Sequence, residues 1–393
     1  MVNTITFGGW YQRTTMHLSE VFQFLSEGTS KLDLDKDKLT ELLKNMEIKK
    51  VERKNDYLEY IEAITKENII INYYEDGLYI LKIEEKDLEK DLEKDIKKLK
   101  EYFDTKYNPA INYLFSLGAP TPKILANIKD DHPIVIGEIT SDIKMKKFNE
   151  KIYGKIYSDT NSKDIRVLKT NKYIIVLSSR PEKRELSDLI EMQIFFKEFK
   201  SQLHKYLNIH RAIWEEISKI KEQKFIEGDK ISIQKAKLES YAKTVSLISN
   251  RINQMGSYAK TRSSLSKQLG VDQALISHFQ YKYEDLFNSL EYIKEIWKMT
   301  SDYVNSAIQI LRDIEGKTTS KNLRSIQLLA SIGVITGILG YLNKEYFLPK
   351  ISLNGFLYLV SLSAIAFLLD WFLSYRMKKK KYELMFIERS KDI

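Results

Sequence analysis

The sequence predicts an α+β cytosolic domain followed by long antiparallel helices, the last a stalk helix continuing into a C-terminal two-helix transmembrane hairpin. Three observations predict this. Short β-rich runs separated by turn residues fill the first 182 positions. No proline occurs between Pro181 and Pro349, so the middle of the chain lacks the residue that most reliably breaks a helix. Two uncharged stretches, 325–343 and 351–369, each run nineteen residues. That is close to the roughly 20 residues a helix needs to cross about 30 Å of hydrocarbon.

Within 1–182 a short strand over 5–7 opens the chain. Further strands are expected at 49–53, 57–64, 68–74, 78–84, 134–139, 151–157 and 173–178, with Asp76-Gly77 turning the chain before one of them. Helical patterns lie between them at 17–27, 35–47 and 85–103. The last carries Leu88, Leu92, Ile96 and Leu99 among lysines and glutamates, which marks an amphipathic helix with a solvated face.

Residues 183–322 read as a domain of long helices. Leu186, Leu189, Ile190, Phe196, Phe199 and Leu203 belong to a helix ending near Gly228-Asp229, and a second helix runs from about 231 to 268 before Gly270. From Leu275 the series Phe279, Tyr283, Leu286, Leu290, Ile293, Trp297, Thr300, Val304, Ala307, Leu311 and Ile314 alternates steps of four and three. This is a heptad seam, and it predicts self-association. It leads into the first uncharged stretch without a break, so one helix is expected from about 274 to 342, on the order of 100 Å long.

The hairpin occupies 323–376, with spans at 325–342 and 352–375 and a basic tail at 377–393. Its orientation follows from the cluster Arg376 to Lys381 after the second span and from Lys317, Lys321 and Arg324 before the first. Positive flanks stay on the cytoplasmic side, so both termini are expected inside a plasma or inner membrane. Asp370 is the acid inside a span; it is expected either to pair with Arg324 or to serve conduction. No apolar run opens the chain, so no cleavable signal peptide is expected. A net charge of +9 from 63 basic and 54 acidic residues, finely interspersed, implies no nucleic-acid partner, and the basic tail reads as lipid-facing. The chain has no cysteine, which fits a reducing interior.

Signals for catalysis are thin, and no enzyme is expected. His17, His132, His204, His210 and His278 lack metal-ligand spacing, and no nucleophile elbow or phosphate loop is present. The opening Phe7-Gly8-Gly9-Trp10 has two readings. Its glycines make a tight turn whose aromatics fill the core, or they let the backbone approach a ligand that Trp10 stacks on and Arg13 reaches. Arg180, Lys183, Arg184 and Arg211 are likewise either surface charge or a phosphate-binding group.

In the first span Ala330, Gly333, Gly337 and Gly340 recur at steps of three and four, which places small residues on one helix face. That face either packs helices closely or lines an axial bore. At this point the chain resembles the CorA-type two-span divalent-cation channels. The likeness rests on Thr336-Gly337-Ile338-Leu339-Gly340, on Leu348-Pro349 in the loop and on the basic tail. The resemblance implies a pentamer in the lipid bilayer, with Asn322, Ile326, Ala330, Gly333, Gly337 and Gly340 lining the axis and Tyr341, Leu342 and Asn343 at the mouth. The family's Gly-Met-Asn signature is replaced by Gly340-Tyr341-Leu342-Asn343, which argues against Mg²⁺ selectivity. A CorA-like chain with that departure and an added α/β domain is similar to the divergent members associated with type III CRISPR systems. That likeness implies an antiviral membrane effector switched by a nucleotide messenger, an adduct of S-adenosylmethionine and AMP. The alternatives are a divalent or poorly selective cation transporter of that type and a non-conducting, membrane-tethered coiled-coil scaffold.

Overall fold

The structure, a computed structural model, describes residues 3–11, 18–55, 58–85, 88–116, 132–141, 143–144, 146–180, 183–268 and 273–342, and scattered positions from 357 to 383. Among the described residues nine strands form one sheet: β1 (Asn3–Trp10), β2 (Ile48–Asn55), β3 (Glu59–Thr65), β4 (Ile70–Tyr74), β5 (Leu78–Glu85), β6 (Ile134–Ile139), β7 (Ile156–Asn161), β8 (Ile165–Thr170) and β9 (Ile174–Ser178). Their spatial order is β2-β3-β4-β5-β1-β6-β9-β8-β7, which puts β1 at the centre. It pairs antiparallel with β5 and β6. β2 to β5 make one antiparallel meander and β7 to β9 another, and the second joins β6 through parallel pairing with β9.

Side chains alternate across a strand, and β1 uses both faces. Ile5 and Phe7 enter a core shared with α1 (Leu18–Glu27), α2 (Lys36–Met46), α3 (Leu88–Tyr102) and α4 (Asn108–Leu114). Leu92, Ile96 and Leu99 of α3 are buried there, as the stripe predicts. Asp35 caps α2, its carboxylate accepting from the amides of Asp37 at 2.9 Å and Lys38 at 3.1 Å. A π-helical turn, Phe103–Tyr107, joins α3 to α4. The expected strand at 151–157 begins instead as a single helical turn, α5 (Glu150–Tyr153), because the Asn149 side chain accepts from the Lys151 amide and starts a helix.

Three long helices follow: α6 (Lys183–Lys221), α7 (Gly228–Gln268) and α8 (Gln273–Leu342). The start of α6 lies on the other face of the sheet, where two glycines let it come close. A Cβ at Gly137 would sit 2.5 Å from Ile190 Cδ1, and one at Gly8 would sit 3.2 Å from Ile194 Cδ1.

The chain divides into two compact units, Met1–Ile209 with Leu247–Glu295, and His210–Ser246 with Ile296–Ile393. The seam of α8 is filled from within the chain. Tyr283, Leu286, Leu290, Ile293, Trp297, Thr300, Val304, Ala307 and Leu311 are all buried. In the first unit Tyr283 packs on Phe196, with ring centroids 4.6 Å apart. In the second, Trp297 meets His210, Tyr303 stacks on Trp214 at 4.2 Å, and Lys235 pairs with Glu315 at 2.6 Å. Also in the second unit, β10 (Phe225–Glu227) pairs antiparallel with β11 (Lys381–Glu383).

The transmembrane hairpin is corrected. Among the described residues no helix is long and apolar enough to cross a membrane. The helix expected over 274–342 is present, but the described residues from Leu323 to Gly337 mix Ile326, Ala330 and Val334 with Gln327, Ser331 and glycine. With the hairpin go the two-span membrane localisation, the channel and its nucleotide gating, the CRISPR-effector reading, the cation transporter and the membrane-tethered scaffold. Of the second expected span, 352–375, most positions, Asp370 included, lie outside the described residues, as does Asn343.

Candidate functional site

Two polar clusters inside the first unit and one apolar face on α8 are the chemically distinctive parts of the molecule. The first cluster grows from the β4–β5 turn. Gly77 adopts φ +85°, and its carbonyl accepts from the Tyr11 amide at 2.9 Å. This fixes Asp76, whose carboxylate receives Arg262 of α7 in a two-pronged pair, Nε at 2.6 Å and Nη2 at 3.0 Å. Arg262 Nη1 lies 3.6 Å from Glu191 of α6, and Glu191 also accepts a short hydrogen bond from the Tyr74 hydroxyl. The guanidinium sits 4.9 Å above the Tyr74 ring.

All three charged groups of this cluster are buried. Burial works to lower the Arg262 pKa, but the Asp76 and Glu191 charges outweigh it and hold the guanidinium above its ordinary value. Burial also raises the Glu191 carboxyl, opposed chiefly by Arg262. Every charge has a partner, so the cluster acts as a weld between α6, α7 and the sheet.

The second cluster runs Tyr79–His132–Glu198. The Tyr79 hydroxyl is 3.1 Å from His132 Nε2, and His132 Nδ1 is 3.4 Å from Glu198 Oε1, within ion-pair reach but not hydrogen-bonded to it. Gly9 makes room for it, since a Cβ there would lie 2.4 Å from the Tyr79 hydroxyl and 2.7 Å from His132 Nδ1. A carboxylate–imidazole–phenol chain is the usual layout of a proton relay. Here Tyr79 is fully buried among Tyr11, Phe103 and Tyr107, and burial pushes its hydroxyl well above the ordinary range. The phenol therefore presents no open face to a substrate, and the chain joins β5 to α6.

The residues singled out for ligand binding are not gathered by the fold. Trp10 is buried, stacks on Phe199 at 5.8 Å and donates from Nε1 to the Asp76 carbonyl at 2.7 Å. Arg180 pairs with Asp164 and Glu185 at 3.3 and 3.2 Å, so its contacts share no residue with those of Trp10. Lys183 opens α6, Arg184 is exposed, and Arg211 is an exposed residue of the second unit. Arg13 lies outside the described residues. Among the described residues no group of three or more His, Cys, Asp or Glu could hold a metal ion.

The third feature is the distal part of α8. Its buried seam ends at Leu311. Every residue from Gly316 to Gly337 whose side chain is described is exposed, including Ala330 and Gly333. Leu323 is 55 % exposed, Ile326 52 % and Val334 61 %. A Cβ added at Gly316 or Gly337 would meet nothing within 4 Å. Asn322, Arg324, Gly340, Tyr341 and Leu342 belong to the same helix, with side chains outside the described set.

Sequence reasoning missed both polar clusters. The first left a trace: Val245, Ile248, Ile252, Met255 and Ala259 step by three and four along the buried face of α7, and the next position on that face is Arg262. The second left none, because Tyr79, His132 and Glu198 come from three distant segments. No known protein family, no curated protein and no solved structure matches this chain.

Proposed function

We propose that this protein is a self-assembling scaffold whose copies associate through the distal part of α8. The carrying observation is the change along that one helix, from a seam buried by the chain's own helices up to Leu311 to exposed aliphatic side chains beyond Gly316. An apolar helical face held in water is costly. Burying Leu323, Ile326 and Val334 in a helix–helix contact returns about 1.5–3 kcal/mol each.

A second copy is the occupant that fits. From Ile326 to Gly337 the described positions are Ile326, Gln327, Ala330, Ser331, Gly333, Val334 and Gly337, all uncharged. Such a ridge carries no charge code by which to select a foreign partner, while its small residues let an identical helix approach closely. The two polar clusters support the same reading, since their charged groups are spent on holding helices to the sheet.

The test is the mass of the full chain in solution, by light scattering across a concentration series. An oligomer is expected, and Ile326→Asp with Val334→Asp should shift it to monomer with an unchanged circular dichroism spectrum. A parent chain that stays monomeric at tens of micromolar would defeat the proposal.

A further inference from the structure

The C-terminal basic segment pairs its charges with aromatic rings. Arg376 lies over Phe372 at 5.8 Å, Lys379 over Tyr375 at 4.7 Å and Lys380 over Tyr382 at 5.8 Å. Strand β11 then pairs with β10, where Lys224 lies over Phe225 at 6.0 Å. The Gly228 amide donates to the Lys380 carbonyl at 3.1 Å, so the basic segment is fastened to the α6–α7 turn. Three of these four rings are about half exposed, Phe225 at 49 %, Phe372 at 49 % and Tyr375 at 48 %, while Tyr382 is more covered. Phe367, Leu368 and Trp371 beside them are more exposed still.

We infer that this surface docks on an anionic lipid bilayer, lying at the headgroup level without spanning it. Aromatic rings capped by cations suit two anionic partners, single-stranded nucleic acid and acidic lipid headgroups. The neighbouring Phe367 and Leu368 decide between them. A nucleic acid would leave these side chains in water, whereas the boundary between headgroups and acyl chains takes them in together with Trp371. Lysine and arginine beside interfacial tryptophan and tyrosine match a surface that is negative outside and apolar beneath. The inference does not rest on self-assembly, because it uses the α6–α7 turn and residues beyond the distal part of α8.

The experiment is co-sedimentation of the full chain with phosphatidylcholine vesicles, with and without phosphatidylserine, at low and high salt. Binding is expected only with phosphatidylserine and should weaken with salt. Each neutralised lysine should cost about five-fold in affinity, so Lys379→Gln with Lys380→Gln should cost about 25-fold. Trp371→Ala with Leu368→Ala should weaken binding that persists at high salt. Light scattering on the same samples reports assembly separately, so loss of lipid binding in an intact oligomer is distinguishable from loss of the oligomer. Equal binding to neutral vesicles, no binding to either kind, or displacement by an oligonucleotide in preference to lipid would overturn the inference. Retention in the pellet through alkaline carbonate would also overturn it, since a peripheral contact is stripped by that treatment.

Discussion

Arg262 shows how one side chain sets the balance between burial and charge. Removing it leaves Asp76 buried and without its cation, and Arg262→Met should destabilise the protein by about 3–5 kcal/mol in a urea melt. Adding Asp76→Asn should restore part of the loss, because the stranded charge is then gone; a single-variant cost below about 1 kcal/mol would reject the weld. Gly9 makes a second case. Gly9→Ala drives a methyl into the Tyr79 hydroxyl and should cost about 1–3 kcal/mol, partly relieved by Tyr79→Phe. Glycine at this position was legible as a place of close approach, but the approaching group is a side chain of the same domain. Glu216 carries the clearest pH signature. Hydrogen bonds from Lys219 and Lys237 lower its pKa to about 2. A lowered carboxylate pKa contributes stability above the ordinary carboxylate range and loses it as pH falls toward about 2. Lys237→Gln should therefore raise the Glu216 titration midpoint seen by NMR, while changing stability at neutral pH by less than about 1 kcal/mol.

At the scale of elements, strands with clean alternation and turn residues at their ends were readable. β2 to β6 and β9 lie within a few residues of their expected places. β8 was not, because Arg166 and Lys169 break its apolar pattern while its other positions face the core. The period of α8 was readable too, but the period alone did not say what fills the seam. The same four-and-three spacing serves a partner chain or the chain's own α6 and α7, and here Leu290 and Leu311 are fully buried within one molecule. Leu290→Asp should accordingly unfold the first unit, with loss of cooperative melting. In an intermolecular seam the same change would release folded monomers. Finding such monomers by light scattering would return the seam to an interface between copies.

For the whole molecule, the sequence divides the chain near 182, where the strands stop, whereas each compact unit draws on two separate segments of the chain. The uncharged stretches were read as spans on length and lack of charge alone. What the structure adds is that, among the described residues, the side chains of α8 from Gly316 to Gly337 are exposed where the seam up to Leu311 is buried, a property no local window contains. That contrast makes one prediction about the intact protein. A helix whose side chains are exposed opens more readily than one with a buried face, since most helical stability in proteins comes from burial. Amides of 283–311 should exchange slowly with deuterium at every protein concentration, because their cover is intramolecular. Amides of 316–337 should exchange fast in dilute protein and slow down as concentration rises, the midpoint following the oligomer seen by light scattering. Protection of both segments that is independent of concentration would mean that the distal helix is covered from within the chain, and self-assembly through it would lose its basis.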